Sequence, residues 1–136
     1  MPKHVIVPID GSEQAGRALD YALEEYPDAA ITLLHVFSGG PPEIHLEKRG
    51  SDYDDLRARR REMLDRLADE RAHGGPIETE VVTGRPSREI VRYADEHDID
   101  HVVMGSHGRD GASRVLLGSV AETVVRRTPV PVTVVR

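Results

Sequence analysis

Short, almost uninterrupted apolar runs alternate along the chain with stretches in which apolar residues recur at helical spacing. The first run is His4 to Ile9 (HVIVPI). Its β-branched residues and lack of polar interruption predict a strand covered on both faces, as in a parallel sheet. A DGS turn follows, with Ser12 placed to cap a helix. Ala15, Ala18, Leu19, Ala22, Leu23 and Tyr26 then fall on one helical stripe, which Pro27 ends. Ala30 to Phe37 (AITLLHVF) predicts a second buried strand. From Asp52 to His73 charge dominates, and Leu56, Met63, Leu64 and Leu67 leave a narrow apolar face. This is the pattern of a surface helix, closed by Gly74, Gly75 and Pro76. Ile77 to Val82 alternates, as a more exposed strand does. A helix is predicted over about Ser87 to His97, with Ile90, Val91 and Ala94 inward. A strand at His101 to Gly105, a short helix from Ser119 to about Arg127 and a last strand at Val130 to Val135 complete the chain.

The order β-α-β-α-β-α-β-α-β predicts an α/β fold in three layers, with right-handed crossovers placing helices on both faces of a parallel sheet. No linker, repeat or low-complexity tract divides the 136 residues, so residues 1–136 read as a single domain. Ser38 to Asp52 carries no element pattern. Open parallel sheets bind ligands beyond the carboxyl ends of their strands, where the strand order reverses. Polar sequence stands at two strand ends, Ile9-Asp10-Gly11-Ser12 and Gly105-Ser106-His107-Gly108. If those strands are neighbours, Asp10 and the glycine-rich loop face one crevice.

Gly105, Gly108 and Gly118-Ser119 form the spacing G-x2-G-x9-G-S. Glycines at a strand end let backbone N–H groups converge on an anion, and a helix opening at Gly118-Ser119 adds free N–H groups and its dipole. A phosphate chain suits that arrangement. Neither G-x4-G-K-[ST] nor G-x-G-x-x-G is present.

With these residues assembled, the sequence resembles the universal stress protein family, in its small single-domain, ATP-binding branch. The likeness runs through "IVPIDGS", "LLHV", "GRPSREIVRYADEHDIDHVVMGSHGRDG" and "LLGSVAETVVRRTPVPVTVVR", essentially the whole chain. It implies a five-stranded parallel sheet of order 3-2-1-4-5, of the adenine nucleotide alpha hydrolase-like kind, in which strands one and four are neighbours. It also implies roles for individual residues. Gly105, Gly108, Gly118 and Ser119 would hold the phosphates, with Val120 beside them. Asp10 would lie near the ribose, the backbone of Val36 would face adenine, and Pro8 and Ile9 would line the same floor. Arg109 and Arg114, between the glycines, are candidate cations for phosphate charge, although no motif fixes them. Magnesium would accompany ATP mostly through phosphate and water ligands.

Plainer readings stand beside these. Gly105 ends a strand in any case. Ser119 with Glu122 spells S-x-x-E, a capping box compatible with phosphate binding. Asp10 is either a turn residue or a site residue. His107 reads as a solvated loop histidine and His35 as a core or crevice-edge one. The histidines form no metal-ligand pair, and Asp52, Asp54 and Asp55 form no calcium loop. Arg57, Arg59, Arg60 and Arg61, flanked by acids, read as a salt-laced surface.

Composition narrows the partners. A net charge of −6 does not favour nucleic acid. Cysteine is absent, no apolar run reaches membrane-spanning length, and no leader pattern precedes Val5, so a cytoplasmic protein without a membrane partner is expected. The leading expectation is a nucleotide-binding stress or signalling protein whose loop order, set by ATP, is read by a protein partner. The rivals are a slow ATPase or adenylate-transferring enzyme, for which no activating base or fixed lysine is evident, and an interaction module without a ligand. In the 3-2-1-4-5 order, Val130 to Val135 is a sheet edge rich in valine. The resemblance implies a homodimer paired along it, with Pro131 removing one donor from that edge.

Overall fold

The computed structural model describes residues 2–37, 50–71, 73–106 and 117–136. The strands are β1 (His4–Pro8), β2 (Ala30–Phe37), β3 (Ile77–Thr83), β4 (His101–Gly105) and β5 (Val132–Val135). They form one parallel sheet of five strands in the order β3-β2-β1-β4-β5. The helices are α1 (Glu13–Glu25), α2 (Gly50–Asp69), α3 (Pro86–Glu96) and α4 (Ser119–Arg127). Strand order and layering are those expected from the sequence.

Two apolar layers hold the sheet. One face packs Val5, Val7, Ile31, Leu33 and Val103 against Ala15, Ala18, Leu19 and Ala22 of α1 and Leu64 of α2. The opposite face packs Ile6, Leu34, Val102 and Met104 against Ile90, Tyr93 and Ala94 of α3 and Ala121 and Val124 of α4. β1 and β4 are buried on both faces, which is why their sequences show no alternation. Burying one such Leu or Ile side chain contributes about 1.5–3 kcal/mol.

Element ends differ from the sequence pattern by a residue at β1, β3 and α3, which run His4–Pro8, Ile77–Thr83 and Pro86–Glu96, and α2 ends at Asp69 rather than His73. The starts of α2 and β5 differ by more. α2 begins at Gly50, ahead of the expected Asp52. β5 begins at Val132, not Val130. Pro129 and Pro131 fix their own φ and restrict the residues before them, so the chain enters the sheet only after the second proline.

The two edges of the sheet are built differently. Along a strand, successive residues turn their N–H and C=O groups to opposite sides. Ile31 N–H donates to Pro76 O and Gly84 N–H to Phe37 O, so even-numbered residues of β3 face β2 and the odd ones face outward. Those outward carbonyls are capped by α2. Arg57 Nη2 donates to Val81 O at 3.0 Å and Arg61 Nη1 to Thr79 O at 3.3 Å. Arg61 also pairs with Glu80 at 3.7 Å, and Thr79 Oγ1 donates to Asp65 Oδ1 at 2.7 Å. Two arginines of the expected salt-laced face thus bond the backbone of an edge strand.

At β5, Val102 N–H donates to Pro131 O and Ser106 N–H to Val135 O, so Pro131, Thr133 and Val135 face β4. Val132 and Val134 turn their backbone groups outward. Pro131 therefore removes no donor from the outer edge, contrary to the sequence expectation.

Candidate functional site

β1 and β4 pair directly, with Val5 opposite His101 and Ile6 opposite Val102, and the chain leaves both strands at the same end of the sheet. Strand order reverses between them, so the two polar strand ends flank one crevice mouth, as the topological argument requires.

On the β1 side, Gly11 takes φ +86°, a value that favours glycine, and Asp10 Oδ1 accepts the N–H of Ser12 at 2.9 Å. Ser12 Oγ in turn accepts the N–H of Ala15 at 3.1 Å and caps α1. Asp10 is exposed, and this turn uses one carboxylate oxygen. Turn residue and site residue are compatible roles, because among the described residues only Oδ1 is engaged.

On the β4 side, a Cβ on Gly105 would come within 2.7 Å of Gln14 Cβ and 2.9 Å of Gln14 C. Glycine is needed there so that the first turn of α1 can close on the strand end. Ser106 follows and is buried. Its N–H donates to Val135 O at 2.8 Å, and its carbonyl accepts the N–H of Gly118 at 2.6 Å. Gly118, at an ordinary φ of −70°, is the N-cap of α4, and among the described residues no side chain caps this helix. The S-x-x-E reading is corrected accordingly: Ser119 is the first helical residue, not the cap, and Glu122 donates its N–H to Gly118 O at 2.9 Å. The N–H groups of Ser119, Val120 and Ala121 have no intrahelical acceptor and carry the positive end of the helix dipole.

The remaining candidates divide. Pro8 is half-buried at the end of β1. Ile9 turns its side chain into the α1/α2 layer and has both backbone groups engaged, its N–H with Leu34 O at 2.8 Å and its carbonyl with His35 Nδ1 at 2.7 Å. Val36 packs its side chain against the α3/α4 layer. It lies beyond Pro8↔Leu34, the last paired position of β1 and β2. Its N–H and C=O point toward the side that β1 has vacated. Gly108, Arg109, Arg114 and His107 lie outside the described residues.

His35 is the crevice-edge histidine that the apolar strand suggested. Burial holds it below the usual histidine range, and the nearby Arg60 guanidinium adds to this, while the bond to Ile9 and the Asp10 charge oppose it. Ser106 was not evident as a site residue. Its only signal was its place between two motif residues, and its role depends on contacts distant in sequence. Among the described residues, no group of three His, Asp or Glu side chains could hold a metal ion, and no helix is long and apolar enough to cross a membrane.

The arrangement offers an anion uncapped N–H groups at α4, a carboxylate at Asp10 and free strand-end backbone at Val36. That combination fits the phosphate, ribose and base of a nucleotide.

Comparison with known proteins shows the family and the fold. The family model described as Universal stress protein family matches residues 1–136. Universal stress protein MJ0531 of Methanocaldococcus jannaschii is 33% identical over 98% of this chain and 82% of its own length. Rv2005c of Mycobacterium tuberculosis is 34% identical, and the chain spans 46% of that longer relative. Among solved structures, MJ0577 of M. jannaschii superposes with a TM-score of 0.84 at 31% identity, covering 98% of this chain and 94% of the other. A universal stress protein in complex with cAMP gives 0.70 at 28% identity, covering 99% and 97%. The Archaeoglobus fulgidus protein in complex with dAMP gives 0.67 at 26%, covering 97% and 96%.

Proposed function

The chain belongs to the universal stress protein family, and we propose that it is a member that holds ATP at the carboxyl ends of β1 and β4. The observation that carries this reading is the uncapped N-terminus of α4, tied to the end of β4 by the Ser106–Gly118 bond and set across the strand-order reversal from Asp10. The cAMP and dAMP complexes of related proteins support an adenine nucleotide as the ligand class.

In this reading the N–H groups of Ser119 and Val120 and the Ser119 hydroxyl take phosphate oxygens, and Asp10 takes a ribose hydroxyl. The backbone of Val36 faces the adenine edge. Pro8 and the Ile9 backbone form the floor, while Gly105 admits the close packing on which the strand end depends. Gly108, Arg109 and Arg114 would close over the phosphates, with Mg2+ held by phosphate and water. ATP then acts by setting the conformation of the 106–118 connection, which a protein partner in the cytoplasm reads.

A homodimer through β5 completes the proposal. Among the described residues nothing bonds the outward N–H and C=O groups of Val132 and Val134, whereas Arg57 and Arg61 cap the carbonyls of the β3 edge. Antiparallel pairing of β5 with its own copy would satisfy those groups and close the assembly.

Chromatography of the supernatant from heat-denatured, freshly purified protein tests the ligand. Adenine nucleotide at a stoichiometry approaching one per chain is expected. Protein that carries none and takes up none from millimolar ATP would refute the reading, and ADP accumulating over time would point to hydrolysis.

A further inference from the structure

A parallel ladder gives the carbonyl of each paired residue to an N–H on the neighbouring strand at regular intervals. Leu34 O receives the N–H of Ile9 at 2.8 Å, so the next bond of the β1–β2 ladder would carry the N–H of Val36 to the carbonyl of Ile9. An imidazole takes that carbonyl instead, with His35 Nδ1 lying 2.7 Å from Ile9 O. A carbonyl can only accept, so Nδ1 carries the proton. The side chain of His35 thus ends the ladder one step early.

Two groups of the candidate site are affected. Among the described residues, the N–H and C=O of Val36 take no partner on the β1 side. The Ile9–Asp10 peptide is also fixed. Every peptide bond described is trans, so a carbonyl aimed at His35 turns the Asp10 N–H to the opposite side, away from β2. The Asp10 carboxylate starts from that peptide and is steadied further by Ser12 N–H at 2.9 Å.

We propose that His35 is a positioning residue of the nucleotide site: its Nδ1–H withdraws the Ile9 carbonyl from the β1–β2 ladder, leaving the Val36 backbone and the Asp10 turn to face the ligand. The assignment rests on the nucleotide-binding reading for its purpose, but its geometry can be tested without ligand. The half-buried setting beside Arg60 keeps the ring neutral at neutral pH, with a single proton that the Ile9 carbonyl holds at Nδ1.

The test has a ligand-free arm and a binding arm. In the ligand-free wild type, long-range 15N–1H NMR should find the His35 proton on Nδ1, and the Val36 amide should exchange quickly with solvent for a residue so near the core. An Nε2–H tautomer or a strongly protected Val36 amide would overturn the proposal. In the binding arm, ATP, AMP and adenosine are titrated into His35→Asn, whose amide nitrogen can replace Nδ1–H, and into His35→Leu, which has no donor. His35→Asn should bind within about threefold of wild type, and His35→Leu should lose tenfold or more for all three ligands. Its loss should largely vanish in the Asp10→Ala background if positioning runs through the turn, or persist with a newly protected Val36 amide if it runs through the ladder. Equal affinities for the two variants, either both as wild type or both equally weakened, would overturn the assignment. If the wild type bound no adenine compound, the functional reading would fall, and the tautomer and exchange measurements would still decide what His35 does.

Discussion

The N–H of Gly118 donates to the carbonyl of Ser106 over 2.6 Å, joining the end of β4 to the start of α4. The helix opens beside the strand end with a glycine at its N-cap, which has no side chain to cap it. An isolated α4 would gain from a capping side chain. At a phosphate site the vacant cap is an advantage. The two roles of this position therefore predict effects of opposite sign.

Gly118→Asp supplies a good N-cap and a negative charge at the positive end of the helix dipole, so the fold should be stabilised by roughly 0.3–1 kcal/mol. The same carboxylate occupies the N–H groups needed by phosphate, and ATP affinity should fall at least tenfold. Thermal melting and calorimetry on one variant read both signs. A variant that is stabilised and binds ATP normally would move the phosphates elsewhere.

Asp10→Ala removes a carboxylate that accepts Ser12 N–H and that, in the proposed site, takes a ribose hydroxyl. A hydrogen bond from a ribose hydroxyl to a charged acceptor is worth about 1.5–3 kcal/mol, so ATP and adenosine should both weaken by roughly 10- to 150-fold. A loss confined to ATP and dependent on magnesium would place Asp10 at the phosphates instead.

The orientation of β5 decides which substitution tests the dimer. Val134 points its N–H outward, whereas Thr133 points its N–H at β4. Val134→Pro should give a monomer by light scattering while the sheet persists. Thr133→Pro breaks the β4–β5 ladder and should destabilise the fold itself. A wild type that is monomeric at micromolar concentration, or an undiminished Val134→Pro dimer, would remove the interface.

Arg57 and Arg61 protect the opposite edge. The Arg57→Ala/Arg61→Ala double variant should expose the Thr79 and Val81 carbonyls and give species larger than a dimer, or aggregation, on sizing columns. Unchanged assembly size would mean that the guanidinium groups only anchor α2.

Acid should weaken the fold in two stages. Burial lowers the pKa of His101, whose Nε2 lies 2.7 Å from Thr133 Oγ1, and likewise that of His35. With folded values below the unfolded value near ~6.5, the unfolded chain binds the extra protons first. Stability is therefore complete above that value and declines as pH falls toward the folded values. Asp100 contributes at lower pH. Its carboxylate, held down by the N–H groups of Lys3 and His4, stabilises the fold above the ordinary aspartate range and ceases to as pH falls through its depressed value. Melting temperatures between about pH 7 and pH 5 should fall less steeply for His101→Gln, which can keep the bond to Thr133 without titrating.

The sequence conveyed most where burial is symmetric. HVIVPI and HVVMG are apolar without alternation because both faces of β1 and β4 are covered, and the neighbour relation of those strands followed from the resemblance rather than from periodicity. What stayed hidden depends on direction or on tertiary neighbours. Period-two patterning tells which face a side chain takes, but not which way a backbone N–H points, so Thr133 could not be distinguished from Val134 as an edge donor. The spacing of Ser119 and Glu122 suits an N-cap start, but Gly118 holds the cap: its backbone is extended, at φ −70° and ψ 166°, and its carbonyl accepts the first helical bond, from Glu122. Arg57 and Arg61 read as solvated charge because the carbonyls they cap belong to a strand formed 20 residues or so later in the chain. The role of Ser106 rests on bonds to Val135 and Gly118, which its place between two motif glycines does not convey.

The most direct measurement is an amide-shift titration with ATP by 15N–1H NMR on assigned protein. The amides of Ser119, Val120 and Ala121 should move together to higher proton shift as phosphate takes their free N–H groups, and Asp10 and Val36 should move with the same affinity. Saturation with ATP that leaves the first turn of α4 unperturbed, or that perturbs a surface away from the β1 and β4 ends, would contradict the nucleotide site.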